Sequence, residues 1–465
     1  MLFPGILVLG LLLIPAGMWR ERSRRKKGGP KALVLDLALV SHRNAMVTFV
    51  AGTCIFLLLT TVGLYKGYQY TESVEFCGKV CHQVMEPEYT AYFNSAHAKV
   101  SCAHCHIGPG ADWYVKSKMS GARQVVRVLL DNFERPIPTP VRDLRPAQEV
   151  CEHCHWPNKF FDATQVTHDH FLSNEQNTHW QITMLVNVGG VSSGPGKSLG
   201  IHWHVDKTNE ITYVAGDSLR QSFDRVVWAR DGTEVVYTPE GEPTPDSVLV
   251  RARELELERT LDCIDCHNRP SHKYRSPMQA VNEAMASGEL DPAIPWIKRQ
   301  AVRVLSREYE TKAGAQDSIA AGLRDFYRDE ETDLPEAAVA AVQQIYARNM
   351  FPEMRVRWDR YPDNRGHLDF PGCFRCHGSN LKTEEGEGIS ADCNLCHTIV
   401  AQGPSGFQTA AFTPEGLDFE HPLDVDGAEA KMACYECHIG DASLYLKTQD
   451  GKEISAAGQA SVTRE

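Results

Sequence analysis

The stretch SCAHCHIGPGAD, residues 101–112, carries the pattern that decides the fold: two cysteines separated by two residues and followed at once by a histidine. Six copies run from Cys102 to His106, Cys151 to His155, Cys263 to His267, Cys373 to His377, Cys393 to His397 and Cys434 to His438. An earlier stretch, FCGKVCHQVM at 76–85, ends in the same way, but three residues separate Cys77 from Cys81 before His82.

This spacing is that of covalent haem attachment, in which two thiols capture the haem vinyl groups and the next histidine reaches the iron. Zinc ribbons pair one CxxC with another and need no histidine after each pair, so zinc or disulfides are disfavoured. We predict seven haems c, held by Cys77, Cys81, Cys102, Cys105, Cys151, Cys154, Cys263, Cys266, Cys373, Cys376, Cys393, Cys396, Cys434 and Cys437. The alternative for Cys77 and Cys81 alone is a disulfide or two free thiols.

Two apolar runs open the chain. Residues 1–19 are predicted to form a first transmembrane helix and residues 45–66 a second, each close to the length that crosses about 30 Å of hydrocarbon. The segment between them, 20–44, contains the basic run RERSRRKKGGPK, which places it in the cytoplasm by the positive-inside rule. Everything after the second span is then outside the bacterial cytoplasmic membrane, in the periplasm, where haem attachment takes place.

The net charge of the chain restricts the classes of partner that it can bind. The chain has a net charge of −12, and the 40 basic and 58 acidic residues after position 65 give that part −18. This acidity argues against nucleic acid and favours a basic electron-transfer partner.

Composition and residue spacing divide the predicted periplasmic part into segments. Residues 67–160 contain the first three cysteine motifs in turn-rich sequence, and 161–260 form a predicted β-rich insert. Short strands are expected there at QITMLVNVGG, IHWHV, EITYVAG, DRVVWARDGTEVVYT and SVLVRAREL. Residues 261–445 contain the last four motifs and a segment, 278–349, with helical spacing of apolar residues. Residues 446–465 form a polar tail. The predicted fold class is a multihaem cytochrome c, mostly α and irregular around a chain of haems, with a β-rich insert and two N-terminal transmembrane helices.

Seven irons with two axial ligands each need seven ligands beyond the motif histidines. The better candidates are His97, His168 or His170, His202 or His204, His272, His367 and His421. His104 and His153 lie between motif cysteines and are discounted. Paired imidazoles would leave no vacant iron position, which suits electron transfer rather than substrate binding.

The stretch CGKVCHQVMEPEYTAYFNSAHAKVSCAHCHIGPGADW, beginning at Cys77, resembles the NapC/NirT/NrfH family of membrane-anchored multihaem quinol dehydrogenases. Over the whole length, RPIPTPV, CEHCHWP, GIHWHV, CIDCHNRPSH and FPGCFRCH resemble the long seven-haem inner-membrane cytochromes of metal-respiring bacteria, the ImcH type. The family implies a first haem at the membrane surface that a methionine can ligate, so either His82 or Met85 is the ligand here.

The resemblance implies oxidation of menaquinol or ubiquinol at the outer membrane face, with electrons passed to periplasmic cytochromes or a reductase. It also implies a quinol site near the first haem, for which we name Asp112, Lys116 and Lys118. Two alternatives remain open: a relay or structural haem subunit without its own quinol site, and a multihaem reductase with an open haem. From Val115 to Phe133, apolar residues recur at helical spacing beside a basic face, which is typical either of a helix lying on a bilayer or of one packed on haems.

Overall fold

The computed structural model describes residues 2–26, 36–80, 82–139, 145–156, 162–189, 200–206, 208–255, 257–438 and 440. The chain divides into two compact units, residues 1–71 and residues 72–465. The predicted polar tail and part of the predicted cytoplasmic loop lie outside the described residues.

The first unit consists of two helices, α1 (Leu2–Lys26) and α2 (Val40–Thr71). In the part of the chain that the structure describes, α2 alone is long and apolar enough to cross a membrane. Its 32 residues extend about 48 Å at 1.5 Å per residue. The Thr61 hydroxyl donates a hydrogen bond to the Leu57 carbonyl, so this polar group is satisfied within the helix. The described helix is longer at both ends than the predicted span, and α1 adopts the helix expected of the first apolar run.

The second unit contains two antiparallel sheets. The strands are β1 (Thr164–Phe171), β2 (His179–Val186), β3 (Glu210–Ala215), β4 (Phe223–Arg230), β5 (Thr233–Pro239), β6 (Glu258–Thr260), β7 (Leu381–Lys382), β8 (His397–Pro404) and β9 (Thr409–Ala410). One sheet has the order β1-β2-β8-β9 and the other β6-β3-β4-β5-β7. Strand β7 follows the fifth motif, Cys373 to His377, and joins the second sheet. Strand β8 begins at the last residue of the sixth motif, His397, and joins the first sheet. The β structure is therefore not confined to the predicted insert.

A helical core supports the rest of this unit. It is built from α9 (Pro277–Ala286), α10 (Ile297–Leu305), α11 (Lys312–Asp329) and α12 (Glu336–Asn349). Apolar side chains at helical spacing meet in one cluster, in which Leu290, Ile297 and Leu323 are fully buried. Each such side chain stabilises the fold by about 1.5–3 kcal/mol.

Short helical turns carry the cysteine motifs. These are α4 (Cys102–His106), α6 (Ala147–Cys151), α8 (Cys263–Cys266), α13 (Cys434–Cys437) and 3-10 turns at Gly372–Arg375 and Cys393–Leu395. The remaining helices are α3 (His82–Phe93), α5 (Ala111–Leu129) and α7 (Asp246–Glu254). The first motif begins on a π-helix, Phe76–Val80. A π-helix takes up one residue more per turn, which accommodates the additional residue between Cys77 and Cys81.

Two strand predictions were wrong. IHWHV forms a 3-10 turn, Ile201–Val205, and SVLVRAREL lies in the helix α7. Pro245 precedes α7 and Asp246 opens its first turn, both favourable at a helix start, and Ala252 is the buried residue of the helix. Short runs of β-branched and leucine residues do not distinguish a strand from a helix by composition alone.

Candidate functional site

The seven motifs lie next to one another in chain order. The Cys77 thiol donates a hydrogen bond to Cys102, which raises the pKa of Cys77 and lowers the pKa of Cys102 to about 7. Burial raises the pKa of Cys151 to about 11, and the neighbouring thiols of Cys263 and Cys105 add to the effect. The first four motifs thus form a contiguous series.

The series continues through the last three motifs. Burial raises the pKa of Cys266 to about 11 with a further contribution from Cys373, and the pKa of Cys396 to about 11 with one from Cys373. Cys434 has Cys393 among the thiols that raise its pKa, after burial. Sequence order is therefore also spatial order from the first motif to the seventh.

Each of the six regular motif histidines faces a second imidazole. Ring centres are 5.8–6.3 Å apart in the pairs His106 with His272, His155 with His97, His267 with His202, His377 with His204, His397 with His367 and His438 with His421. Two imidazoles that bind one metal from opposite sides, each through a nitrogen about 2 Å away, have ring centres roughly 6 Å apart. The spacing of all six pairs fits an iron held between two histidines.

The second imidazoles are oriented by the backbone. The Nδ1 atoms of His97, His202, His204, His272 and His421 lie 2.6–3.1 Å from the carbonyl oxygens of Pro270, Val188, Ile201, Glu88 and Leu423. A ligand histidine commonly donates its other ring N–H to a carbonyl, which leaves Nε2 to bind the metal. His367 is the exception, because its buried Nδ1 has no hydrogen-bond partner in the described chain.

The sequence left two choices of ligand open, His202 or His204 and His168 or His170, and the structure arranges the two pairs differently. His202 and His204 both face a motif histidine, because the 3-10 turn directs them to different partners where a strand would point them to one side. His168 and His170 do lie on one side of β1, and their ring centres are 6.3 Å apart. Among the described residues these two rings lie beside each other, and neither forms a ring pair with a motif histidine.

Among the described residues, no group of three or more His, Cys, Asp or Glu side chains is arranged to hold a metal ion. His104 and His153, discounted as ligands, lie edge to face with ring centres 6.2 Å apart, where the second and third motifs meet.

The first motif has its own packing. A Cβ on Gly78 would lie 1.8 Å from Cδ2 of Tyr89, so only glycine fits against this ring. Met85 is half-buried one turn into α3. Cys81 and the side chain of His82 lie outside the described residues. His82 and Met85 therefore both remain predicted ligands of the first haem.

Of the three predicted quinol-site residues, Lys118 lies at the first motif. Its ammonium forms an ion pair with Glu72, and both charges act on the pKa of Cys77, Glu72 raising it and Lys118 lowering it. Asp112 is exposed in the first turn of α5, and Lys116 is exposed with Nζ 4.7 Å from the centre of the Trp113 ring. Sequence reasoning missed Glu72, although an acidic residue directly after a membrane span was a usable signal.

The seventh motif lies beside an acidic surface. Residues 383–430 contain ten acidic residues and no lysine or arginine. An open cleft of ≈ 660 Å³ beside His421 is lined by Asp418, Glu420, Asp424 and Glu429 among others. The neighbouring Phe412 side chain is 97% exposed.

Comparison with known proteins also identifies the chain as a cytochrome c. Residues 40–138 match the NapC/NirT cytochrome c family, N-terminal region. The chain is 41% identical over 455 residues to the cytochrome c-type protein ImcH of Geobacter sulfurreducens, an alignment that covers 95% of this chain and 87% of that protein. No solved structure matches it. The chain therefore belongs to the NapC/NirT family of membrane-anchored cytochromes c, whose haem is covalently bound.

Proposed function

We propose that this protein carries seven haems c, oxidises quinol at the outer face of the cytoplasmic membrane and passes the electrons to periplasmic acceptors. The observation that carries the proposal is the set of six imidazole pairs, five of them oriented by a backbone carbonyl, along motifs that are adjacent in chain order. Covalently bound haem supplies a one-electron carrier at each motif, so the two electrons of a quinol leave singly while its two protons go to water.

Quinol is proposed to bind where Lys118 and Glu72 lie beside Cys77. The ammonium of Lys118 can donate a hydrogen bond to a quinol oxygen and hold it there. The Glu72 carboxylate can accept the hydroxyl proton and release it to the periplasm, since a general base must lie within hydrogen-bond reach of the proton it takes. Asp112 and Lys116, at the exposed start of the same helix, remain proposed members of the site.

Electrons are proposed to leave at the seventh motif. The acidic cleft beside His421 favours an acceptor with a basic surface, because complementary charge steers association and fixes orientation. The second membrane span at α1, the cytoplasmic position of the basic loop and the periplasmic position of the haem region belong to the same proposal. They are supported by the positive-inside rule and by the need to attach haem outside the cytoplasm.

The open-haem reductase is the weaker alternative, since each regular motif histidine already faces a second imidazole. A relay subunit without a quinol site is distinguished by experiment.

The test uses the full-length protein and the variants Glu72→Gln and Lys118→Met, with Lys382→Met, at an ion-paired lysine outside the proposed site, as the matched control. Reduction by a menaquinol analogue, followed by haem absorbance, should be about tenfold to a hundredfold slower in the first two. Reduction by dithionite should be unchanged in all three. Equal quinol rates in Glu72→Gln, Lys118→Met and the wild type would place the quinol elsewhere or remove it from the account.

A further inference from the structure

Helix α5 presents an apolar stripe to its surroundings. The stripe consists of Val115, Met119, Val126, Leu129 and Leu130, whose side chains are 54–79% exposed. At 100° per residue these positions fall within a sector of about 100°, with Leu130 directly after the last residue of the helix. Amphipathic helices of soluble proteins usually turn such a stripe toward the core, so this exposed one calls for a physical reason.

The opposite side of α5 is the one that packs on the protein. Tyr114, Ser117 and Lys118 are half-buried, and Val128 packs against the helical core, as does Phe133 just beyond the helix. The apolar stripe therefore lies away from the protein interior. Lys116, Arg123 and Arg127 are exposed in a row along one edge of the stripe.

An ion pair links α5 to the residue that follows the membrane-spanning helix α2 in the sequence. Lys118 pairs with Glu72, and Glu72 directly follows Thr71, the last residue of the membrane-spanning helix α2. Glu72 is therefore one peptide bond from that helix and one ion pair from the middle of α5. An apolar stripe with a basic edge has the composition of a helix that lies in the plane of a bilayer surface.

We propose that α5 is an interfacial helix, with its apolar stripe in the outermost acyl region of the membrane and Lys116, Arg123 and Arg127 against anionic lipid headgroups. The occupant of the stripe is the bilayer that already holds α2, so the inference is a continuation of the membrane anchor. It requires the anchor alone and holds whether or not the protein oxidises quinol.

The test measures water access on α5 in the full-length haem-loaded protein. Cys54→Ser first removes the one cysteine outside the motifs. Met119→Cys and Val126→Cys then place a thiol on the stripe, and Gln124→Cys, also exposed in the structure, places one off it. Each protein is put into nanodiscs containing anionic lipid and treated with a membrane-impermeant maleimide. The stripe thiols should react about tenfold more slowly than the thiol at position 124, because a thiol in the acyl region neither ionises nor meets the reagent.

Equal reaction rates at the three positions would overturn the proposal, since all three residues are exposed in the structure. Slow reaction of Met119→Cys accompanied by crosslinking between two chains would also overturn it, in favour of a second copy as the occupant. Replacing the anionic lipid by a zwitterionic one should speed the reaction of Met119→Cys if the basic edge contributes. An equal haem content in every variant shows that each is folded, and quinol reduction plays no part in the readout.

Discussion

A histidine that ligates a metal has a second ring nitrogen, and the polypeptide controls the ligand through it. His272 illustrates this: its Nδ1 lies 3.1 Å from the Glu88 carbonyl oxygen, and burial lowers its pKa to about 4. The imidazole is therefore neutral at pH 7, the form that binds a metal. The sequence identified His97, His272, His367 and His421 as candidates, but the carbonyl partners lie as far away as 184 residues and no local pattern reports them.

Gly78 permits a specific prediction. Gly78→Ala would place a methyl group 1.8 Å from Cδ2 of Tyr89, so either this ring or the π-helix that carries Cys77 must shift. Overpacking of this kind costs about 1–3 kcal/mol. We expect about one haem fewer per chain by pyridine haemochrome, because an attachment site needs both thiols in place. Gly121→Ala, which has nothing within 4 Å of the new methyl, is the control. Full haem content in Gly78→Ala would contradict this packing.

At the scale of elements, the motifs, the β-rich character of 161–260 and the helical character of 278–349 could be read from spacing and periodicity. IHWHV could not, because its two histidines face motif histidines that lie far along the chain, His267 and His377, which no local pattern reports. The pairing of β2 with β8 joins segments more than 200 residues apart, and periodicity carries no information about such partners.

The helical core contains a buried lysine with a measurable consequence. Lys298 is 0% exposed, and its ammonium donates to the Met278 carbonyl and to Oδ1 of Asn282. Burial lowers the pKa of Lys298 to about 7, from 10.5. Between these values the unfolded chain holds a proton that the folded chain lacks. The free energy of unfolding should therefore rise with pH across this range, by up to about 1.4 kcal/mol per unit.

Denaturant titrations at several pH values between 7 and 10 would measure this slope. Lys298→Met should flatten it, whatever its effect on stability at pH 7, because the variant has no proton to lose there. Lys382→Met, at a solvent-accessible lysine, should keep the slope of the wild type. A slope that survives in Lys298→Met would show that other groups cause it.

At the scale of the whole molecule, the membrane-spanning helix precedes the first motif in the sequence, the motifs are adjacent in chain order, and an acidic surface lies beside the seventh. The negative net charge was visible in the sequence. The position of acidic residues beside the last imidazole pair required the structure. The acidic surface supports the proposed delivery of electrons to a basic acceptor.

Reversing charge at the acidic cleft should weaken delivery without affecting electron uptake. Asp418→Lys combined with Glu420→Lys should slow oxidation of the reduced protein by a lysine-rich soluble cytochrome c about tenfold at low salt, and less at high salt. Asp317→Lys combined with Glu310→Lys makes the same change of net charge on exposed positions elsewhere and should have a much smaller effect. Stopped-flow absorbance gives both rates. Equal slowing in the two variants would mean that net charge, rather than this cleft, controls the transfer.

The most direct test of the account is anaerobic addition of a menaquinol analogue to the purified, oxidised, full-length protein, with haem absorbance followed in time and haem per chain counted on the same sample. The account predicts about seven haems per chain, as the motifs require, and reduction of all of them by the quinol. Seven haems that dithionite reduces and quinol does not would contradict quinol oxidation and leave a relay subunit. Markedly fewer than seven would contradict the assignment of the motifs themselves.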